Sequence, residues 1–370
     1  MILEITLFLF IVCYAVIAWW LAAGMKKPYQ YQDGLPKISI VIPARDEEHD
    51  LPALLESLLK LDYPSDKLQI LIANDESQDK TREIAEAYRE RFQCDYQIID
   101  AFDERNENLQ GRVRPIAQAL DHATGDIYCM TDADCIVPPS WIRGVTSYFG
   151  DDIGLVGGIT LPFQESARKN LVTALETLDW AFLLGASATL SGRGYSQAII
   201  GNNLSISREA YEAIGTYRNV PFSINEDLAL MQAVQRTDRF RAILPADSET
   251  LMRTRPIPSF RALISQRRRW LKGGNRIKSF GLFVLIYGFL AHLTLPLWFC
   301  LFDISGFLWY AVLVLGDGAV IWRVLTLAKQ RRLIIFLIFY PIYAFAYPFT
   351  IALSYAFTRR IKWKGRVYGK

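Results

Sequence analysis

The sequence predicts an α/β domain with a mostly parallel sheet, held between membrane-spanning segments, and three observations predict it. From Lys37 to about Thr160, short β-rich runs alternate with amphipathic helical stretches, the rhythm of β-α-β units covered on both faces. Hydrophobic residues make up 51% of the 370, yet the apolar runs concentrate at the two ends while the middle has ordinary soluble composition. A buried-strand pattern, Asp126 to Met130, leads into Thr131-Asp132-Ala133-Asp134, two carboxylates one residue apart. In extended backbone, positions i and i+2 point the same way, so Asp132 and Asp134 face one site together if the strand persists to its edge. Ligands of open α/β sheets sit at the carboxyl ends of such strands, and paired carboxylates there suit a hard divalent cation, Mg²⁺ or Mn²⁺, that also holds phosphate oxygens. The bland alternative is a solvated turn after a strand.

Taken in order, Ile5 to Ala23 is a nearly continuous apolar run followed by Lys26 and Lys27. About 20 residues suffice to cross the hydrocarbon core. Positive charge after the run, not before it, favours a retained anchor over residues 1–27 and places the next domain in the cytoplasm. The strands drawn are Ile38 to Ile42, Leu68 to Ala73, Tyr96 to Ile99 and Ile127 to Thr131, with helices at Asp50 to Lys60, Asp79 to Phe92 and Val113 to His122. The first two strands end in the polar loops Pro43-Ala44-Arg45-Asp46-Glu47-Glu48 and Asn74-Asp75-Glu76-Ser77-Gln78-Asp79, on the same sheet edge as Asp132 and Asp134. Any one loop reads as a helix cap, as Asp79 does; three on one edge read as a nucleotide-sized polar crevice.

Farther on, Arg168 to Leu190 reads as an amphipathic helix whose apolar face is core or interfacial surface first and an acceptor wall after that, and Gly192, Gly194 and Gly201-Asn202-Asn203 read as tight turns near a ligand or as ordinary loops. Asn225-Glu226-Asp227 precedes an apolar helical run, Leu228 to Met231, so its carboxylates stand at a helix amino end, where the dipole favours the ionised form. A cap with acidic first-turn residues is the alternative. Gln266, Arg269 and Trp270 are spaced i, i+3, i+4 on one helical face. They lie in a basic segment, 251–279, in which Arg253 to Lys278 holds nine Lys or Arg and no acid, as a membrane-surface helix would. Residues 280–358 hold three candidate spans, Phe280 to Phe302, Ile304 to Leu325 and Leu333 to Phe357, with Pro296, Pro341 and Pro348 permitting breaks. Lys329, Arg331 and Arg332 and the basic tail, 359–370, both call for the cytoplasm although one span separates them.

Several classes are excluded. There is no G-x-G-x-x-G and no P-loop, against a dinucleotide dehydrogenase or P-loop ATPase. The three scattered histidines make no zinc site, and five cysteines without a C-x-x-C pair fit a reducing compartment. A net charge of +3 gives no case for nucleic acid. Oligomeric state is not set by any of these features.

The ordered set Pro-Ala-Arg-x-Glu-Glu, x-Asp-x-Ser-x-Asp, Asp-Ala-Asp, Asn225-Glu226-Asp227 and Gln266-Arg267-Arg268-Arg269-Trp270 resembles membrane-bound family 2 glycosyltransferases of GT-A fold, over roughly Lys37 to Arg276. Within that family the chain is most similar to ceramide glucosyltransferase-like and bacterial lipid or carotenoid glycosyltransferases. The resemblance implies a cytosolic nucleotide-sugar-binding domain over 37–250 in the inner membrane of a bacterium. Ala44 and Glu47 would border the nucleoside, Asp75 would bind the uracil or ribose, and the arginines of Gly111-Arg112-Val113-Arg114-Pro115, Arg112 first, would neutralise phosphate where relatives often carry Lys. Asp134, with Asp132, would address metal and diphosphate, Asp227 beside Glu226 would be the general base, and Gln266, Arg269 and Trp270 would close over diphosphate and acceptor. Asp46 stands where many relatives have Asn, and Glu76 replaces a common Gly.

These roles make a metal-dependent, inverting hexosyltransferase that uses a nucleotide sugar, a UDP-sugar first, and a membrane lipid as acceptor. The roughly four spans are apolar, with Asp303 and Asp317 as their few polar interior residues, and are too few to line a path for a polymer. A processive polysaccharide synthase is the alternative, and a catalytically inactive scaffold is the reading from another class.

Overall fold

A computed structural model describes residues 2–25, 34–163, 170–195, 198–273, 279–301, 304–357, 361–363 and 366–368. Lys26, Lys27, Lys278, Asp303 and Arg359, on which charge and polarity arguments drew, lie outside them. The chain forms two compact units, and both are discontinuous in sequence: a sheet unit of Lys27–Leu161 and Ala198–Arg255, and a helical unit of Met1–Lys26, Pro162–Gln197 and Pro256–Lys370. The single span expected over 37–250 is therefore interrupted, because the long helix after Pro162 joins the apolar helices.

The chain opens on α1 (Ile2–Gly24) of the helical unit. The sheet unit then runs β1 (Ile38–Ala44), α2 (Leu51–Leu58), β2 (Leu68–Asn74), α3 (Thr81–Ala87), β3 (Asp95–Asp100), α4 (Val113–Leu120), β4 (Ile127–Thr131), β5 (Cys135–Ile136), α5 (Trp141–Thr146), β6 (Ile153–Gly157) and β7 (Thr160–Pro162). After α6 (Leu171–Gly192) of the helical unit come β8 (Asn203–Ser207), α7 (Arg208–Ala213), α8 (Thr216–Asn219), α9 (Glu226–Gln235), β9 (Arg241–Ile243) and β10 (Met252–Thr254). The four strands drawn from sequence all form, and the helix drawn from Asp79 to Phe92 shortens to α3 followed by a 3₁₀ turn, Arg89–Arg91.

The main sheet orders its strands β3-β2-β1-β4-β8-β6-β9. β1 runs parallel to both β2 and β4, and β2 parallel to β3, while β8 is antiparallel to β4 and β6. The chain winds outward from β1 to β3, then returns to place β4 on the other side of β1. That reversal makes a switch point at the carboxyl ends of β1 and β4, where ligands of such sheets bind. β2 and β4 are buried at every position, as strands covered on both faces must be. On one face Ile38, Ile40, Ile42, Ile70 and Ile72 pack against Leu51, Leu54, Leu55 and Leu58, an i, i+3, i+4, i+7 stripe on α2, and against Trp141 of α5. Each such side chain contributes about 1.5–3 kcal/mol on full burial, so the strand ends are held on a rigid base.

The helical unit continues with α10 (Phe260–Gly273), α11 (Ser279–Leu293), α12 (Leu295–Leu301), α13 (Ile304–Leu327), a 3₁₀ stretch Arg331–Phe339 and α14 (Tyr340–Phe357). The first expected span breaks between α11 and α12 at Thr294, two residues before Pro296, and the last begins with a 3₁₀ stretch that gives way to α14 next to Pro341. Among the described residues five helices are long and apolar enough to cross a membrane, one more than the sequence reading counted. The fifth is α6, expected as an amphipathic helix; it is buried along most of its length. β11 (Ile361–Trp363) and β12 (Arg366–Tyr368) pair antiparallel in the tail.

Candidate active site

Three loops leave the carboxyl ends of β1, β2 and β4. After β1 the chain turns at Asp46 and after β2 at Glu76, both in the left-handed region with φ of 54° and 59°. Asn and Gly tolerate that region best, which accounts for the residues expected at these places in relatives. The two loops are knitted together. The Asp46 N–H donates to Ser77 Oγ at 3.2 Å, Gln78 N–H returns a bond to Asp46 Oδ1 at 2.8 Å, and Glu47 N–H donates to Thr81 Oγ1 at 2.7 Å. Asp79, expected as a helix cap, lies one residue before the cap position, which is Lys80 without a side-chain bond; its Oδ1 accepts the Thr81 N–H at 2.9 Å and its Oδ2 the Glu48 N–H at 3.0 Å, so it joins the start of α3 to the first loop.

Ala44 is closed into the core, and its carbonyl accepts the Asp75 N–H at 2.8 Å, so its contribution is to hold Asp75. Asp75 is buried. Arg114 donates to its Oδ1 at 2.6 Å, and Arg45 stands 3.5 Å from its Oδ2. The expected nucleoside carboxylate thus arrives gripped by two arginines that also approach Glu76, at 3.7 Å and 3.5 Å.

The strand geometry assumed for Asp132 and Asp134 ends at Thr131. A turn follows, closed by the Cys135 N–H on the Asp132 carbonyl at 3.1 Å. The two carboxylates still share a side, because Thr131, Ala133 and Cys135 are buried while Asp132 and Asp134 are partly open. The Asp134 carbonyl accepts the Arg255 N–H at 3.2 Å, which fixes the turn against β10.

Arg112, at the start of α4, draws the distant parts together. Its Nη2 bonds Asp132 and the Gly201 carbonyl, the latter at 3.1 Å, and its Nη1 bonds Glu226 Oε1 at 2.5 Å. Burial works against its charge, but the Asp132 and Glu226 carboxylates outweigh that and hold the guanidinium more firmly protonated than usual. Beside it, Asp227 on the first turn of α9 accepts the Gly201 N–H on Oδ2 at 2.9 Å and the Leu228 N–H on Oδ1 at 2.7 Å. The helix dipole was expected to keep Asp227 ionised. Burial first, and the neighbouring Glu226 charge second, instead raise it well above the ordinary carboxylate range, against those two N–H bonds and Arg112. A base poised nearer neutrality suits proton abstraction from a hydroxyl better than an ordinary aspartate does.

Gln266, Arg269 and Trp270 lie on α10 of the helical unit with the expected helical spacing. The Trp270 ring meets Trp180 edge-on at 5.3 Å and lies 4.1 Å from the Arg267 guanidinium. The sheet unit therefore gathers Glu47, Asp75, Arg112, Asp132, Asp134, Glu226 and Asp227 around the switch point, while the α10 trio belongs to the other unit. Two contributors were not foreseen as site residues: Arg45, and Gly201 as the joint between Arg112 and Asp227. Only the Gly-Asn-Asn turn signal touched the latter.

Among the described residues no three His, Cys, Asp or Glu side chains converge on a metal position. The donors present are nevertheless of the right kind: two hard carboxylates at a strand end, enough for an ion whose remaining ligands come from a diphosphate. Cys135 beside them keeps its proton, since burial and the two aspartate charges push its thiol well above its usual value.

Residues 39–215 match the family described as Glycosyl transferase family 2, and this part of the chain is a domain of that family with a GT-A fold. The chain is 27% identical over 186 residues to the glycosyltransferase AglE of Haloferax volcanii, covering 50% of this chain and 57% of that protein. It is 24% identical over 248 residues to the beta-monoglucosyldiacylglycerol synthase of a Synechocystis species, covering 65% and 48%. The chain thus spans about half the length of the curated relatives it matches. Among solved structures, the mannosyltransferase PcManGT of Pyrobaculum calidifontis, held with GDP-Man and Mn²⁺, superposes with a TM-score of 0.58 at 18% identity over 92% of this chain and 97% of that one.

Proposed function

We propose that the chain is an inverting hexosyltransferase that moves a sugar from a nucleotide diphosphate sugar, a UDP-sugar first, to a membrane lipid, with its sheet unit in the cytosol. The observation that carries this reading is the Arg112 bridge, which ties Asp132 at the sheet's switch point to the Glu226–Asp227 pair. Donor carboxylate and base are thereby fixed in one site.

Asp227 takes the proton from the acceptor hydroxyl as its oxygen bonds the anomeric carbon and the bond to the diphosphate breaks. With no enzyme nucleophile and one displacement, the configuration inverts. Asp132 and Asp134 would hold a divalent ion, which when bound neutralises the leaving diphosphate. Arg112 orients Asp132, and Gly201 holds the carboxylate of Asp227. Arg45 and Arg114 set Asp75 for the nucleoside, and Gln266, Arg269 and Trp270 serve diphosphate and acceptor. Five apolar helices and a lipid-acting relative support a membrane-embedded lipid acceptor.

Membranes containing only this protein, given radiolabelled UDP-glucose, UDP-N-acetylglucosamine or GDP-mannose, test the reading. Label extractable into organic solvent, at one or two sugars per lipid in inverted configuration, is expected. Retained configuration would overturn the mechanism, and label confined to a water-soluble polymer would make the protein a polysaccharide synthase.

A further inference from the structure

α6 carries two carboxylates one turn apart, Glu176 and Asp179, in a helix apolar and long enough to cross a membrane. Glu176 is 1% exposed, Asp179 2%, and Arg267 of α10 4%. Ionisable groups in such surroundings are costly, and they persist where they pair or where they serve a ligand. Asp179 is satisfied: its Oδ2 accepts from Arg267 Nη2 and its Oδ1 from the Tyr347 hydroxyl at 3.3 Å. Glu176 is half satisfied, accepting the Ile257 N–H on Oε2 at 3.1 Å.

What remains is a matched set. Among the described residues, Glu176 Oε1, Arg267 Nε and Nη1, and Trp180 Nε1 are buried with no hydrogen-bond partner. Each unmet group costs about 1–3 kcal/mol, so three donors and one acceptor within a helical turn of the Asp179–Arg267 pair call for an occupant. The cluster counts two carboxylates against one guanidinium, and a lipid phosphate would add negative charge where the dielectric is low. A hydroxyl brings none. It donates to Glu176 Oε1 and accepts from Arg267 in the same group, with the Trp180 and Trp270 rings beside the guanidinium, the first at 6.0 Å and the second at 4.1 Å from their centres, as apolar walls.

We propose that Glu176 and Arg267 form a subsite for an uncharged hydroxyl of the acceptor's head group, so that the acceptor is a neutral hydroxyl lipid and not a lipid phosphate. This rests on the lipid-acceptor reading given above. The full chain in mixed micelles is offered ceramide, whose second hydroxyl can fill the subsite while the first is glycosylated, and undecaprenyl phosphate in turn, with the radiolabelled donors. Label is expected on a hydroxyl lipid. The KM for that lipid should rise tenfold or more in Glu176→Leu and less than threefold in the near-isosteric Glu176→Gln, while the UDP dissociation constant, by calorimetry, stays within twofold. Glu176→Gln leaves the Asp179–Arg267 pair in place, and its melting curve shows whether the fold is intact. Label on undecaprenyl phosphate alone, or an acceptor KM in Glu176→Leu within twofold of the parent, overturns the subsite and leaves the lipid reading standing. Label in no lipid overturns that reading itself.

Discussion

Arg112 donates from Nη1 to Glu226 Oε1 at 2.5 Å across 114 residues of sequence, and both side chains are largely buried, at 13% and 12% exposure. Truncating one member of a buried pair strands the other charge, at about 3–5 kcal/mol. Arg112→Ala should therefore lower the melting temperature by several degrees and abolish transfer. Arg112→Lys keeps the charge, but an ammonium cannot fork between Asp132 and Glu226. It should recover most of the stability and only a small part of the turnover, as thermal melts and transfer rates on the two variants will show. Equal recovery of both would mean that charge alone, and not the bridge, is what the site uses.

Gly201 is held between that bridge and the base. A Cβ at this position would come within 2.6 Å of Arg112 Nη1 and 3.5 Å of the Asp227 Cβ. The first neighbour is the tip of a flexible side chain, so the fold can yield by moving Arg112. Gly201→Ala is expected to cost no more than about 1 kcal/mol in stability while lowering transfer at least tenfold, a split measured by melting and turnover on the same preparation.

Asp227 makes the pH dependence testable. Its folded pKa is raised above the unfolded value near about 4, so the folded state binds the proton more tightly. This contribution to stability is present at low pH and is lost as pH rises through the folded value. Transfer needs the deprotonated base, hence the acid limb of kcat should lie well above the range of an ordinary aspartate. Asp227→Asn should abolish transfer yet melt higher than the parent at pH 8, and the advantage should vanish toward pH 4. A variant less stable than the parent at pH 8 would show that the carboxylate is not the strained member of the site.

The first four strands and the Asp132-Ala133-Asp134 ending were legible because a buried strand announces itself by local periodicity, and a polar ending stands out against it. The Arg112 bridge was not, since its partners lie 20 and 114 residues away and nothing local marks which carboxylate an arginine will meet. α6 was read only in part for a related reason: helical periodicity shows that a face is apolar, so core was among the places expected for it, but not that the helix is buried on its other faces too. Glu76 lies between these cases. As a departure from a common Gly it was visible, and its φ of 59° supplies the physical reason. An L-residue there carries about 1 kcal/mol of strain, partly offset because glycine gains freedom on unfolding. Glu76→Gly should leave the melting temperature unchanged or slightly higher, whereas Glu76→Val, β-branched at positive φ, should lower it by several degrees.

The metal is best tested by asking whether two perturbations share one cause. If Asp134 acts by holding a divalent ion against the donor diphosphate, removing the ion and removing the carboxylate should each weaken nucleotide binding, and doing both should cost no more than doing one. UDP titrations are expected to show at least tenfold weaker binding in EDTA than in Mn²⁺ for the parent chain, and Asp134→Ala in Mn²⁺ should match the parent in EDTA. In that variant EDTA should change little further. Losses that multiply would mean that Asp134 contacts the nucleotide by another route, and a parent chain indifferent to EDTA would leave Arg112, Arg45 and Arg114 as the groups that neutralise the diphosphate.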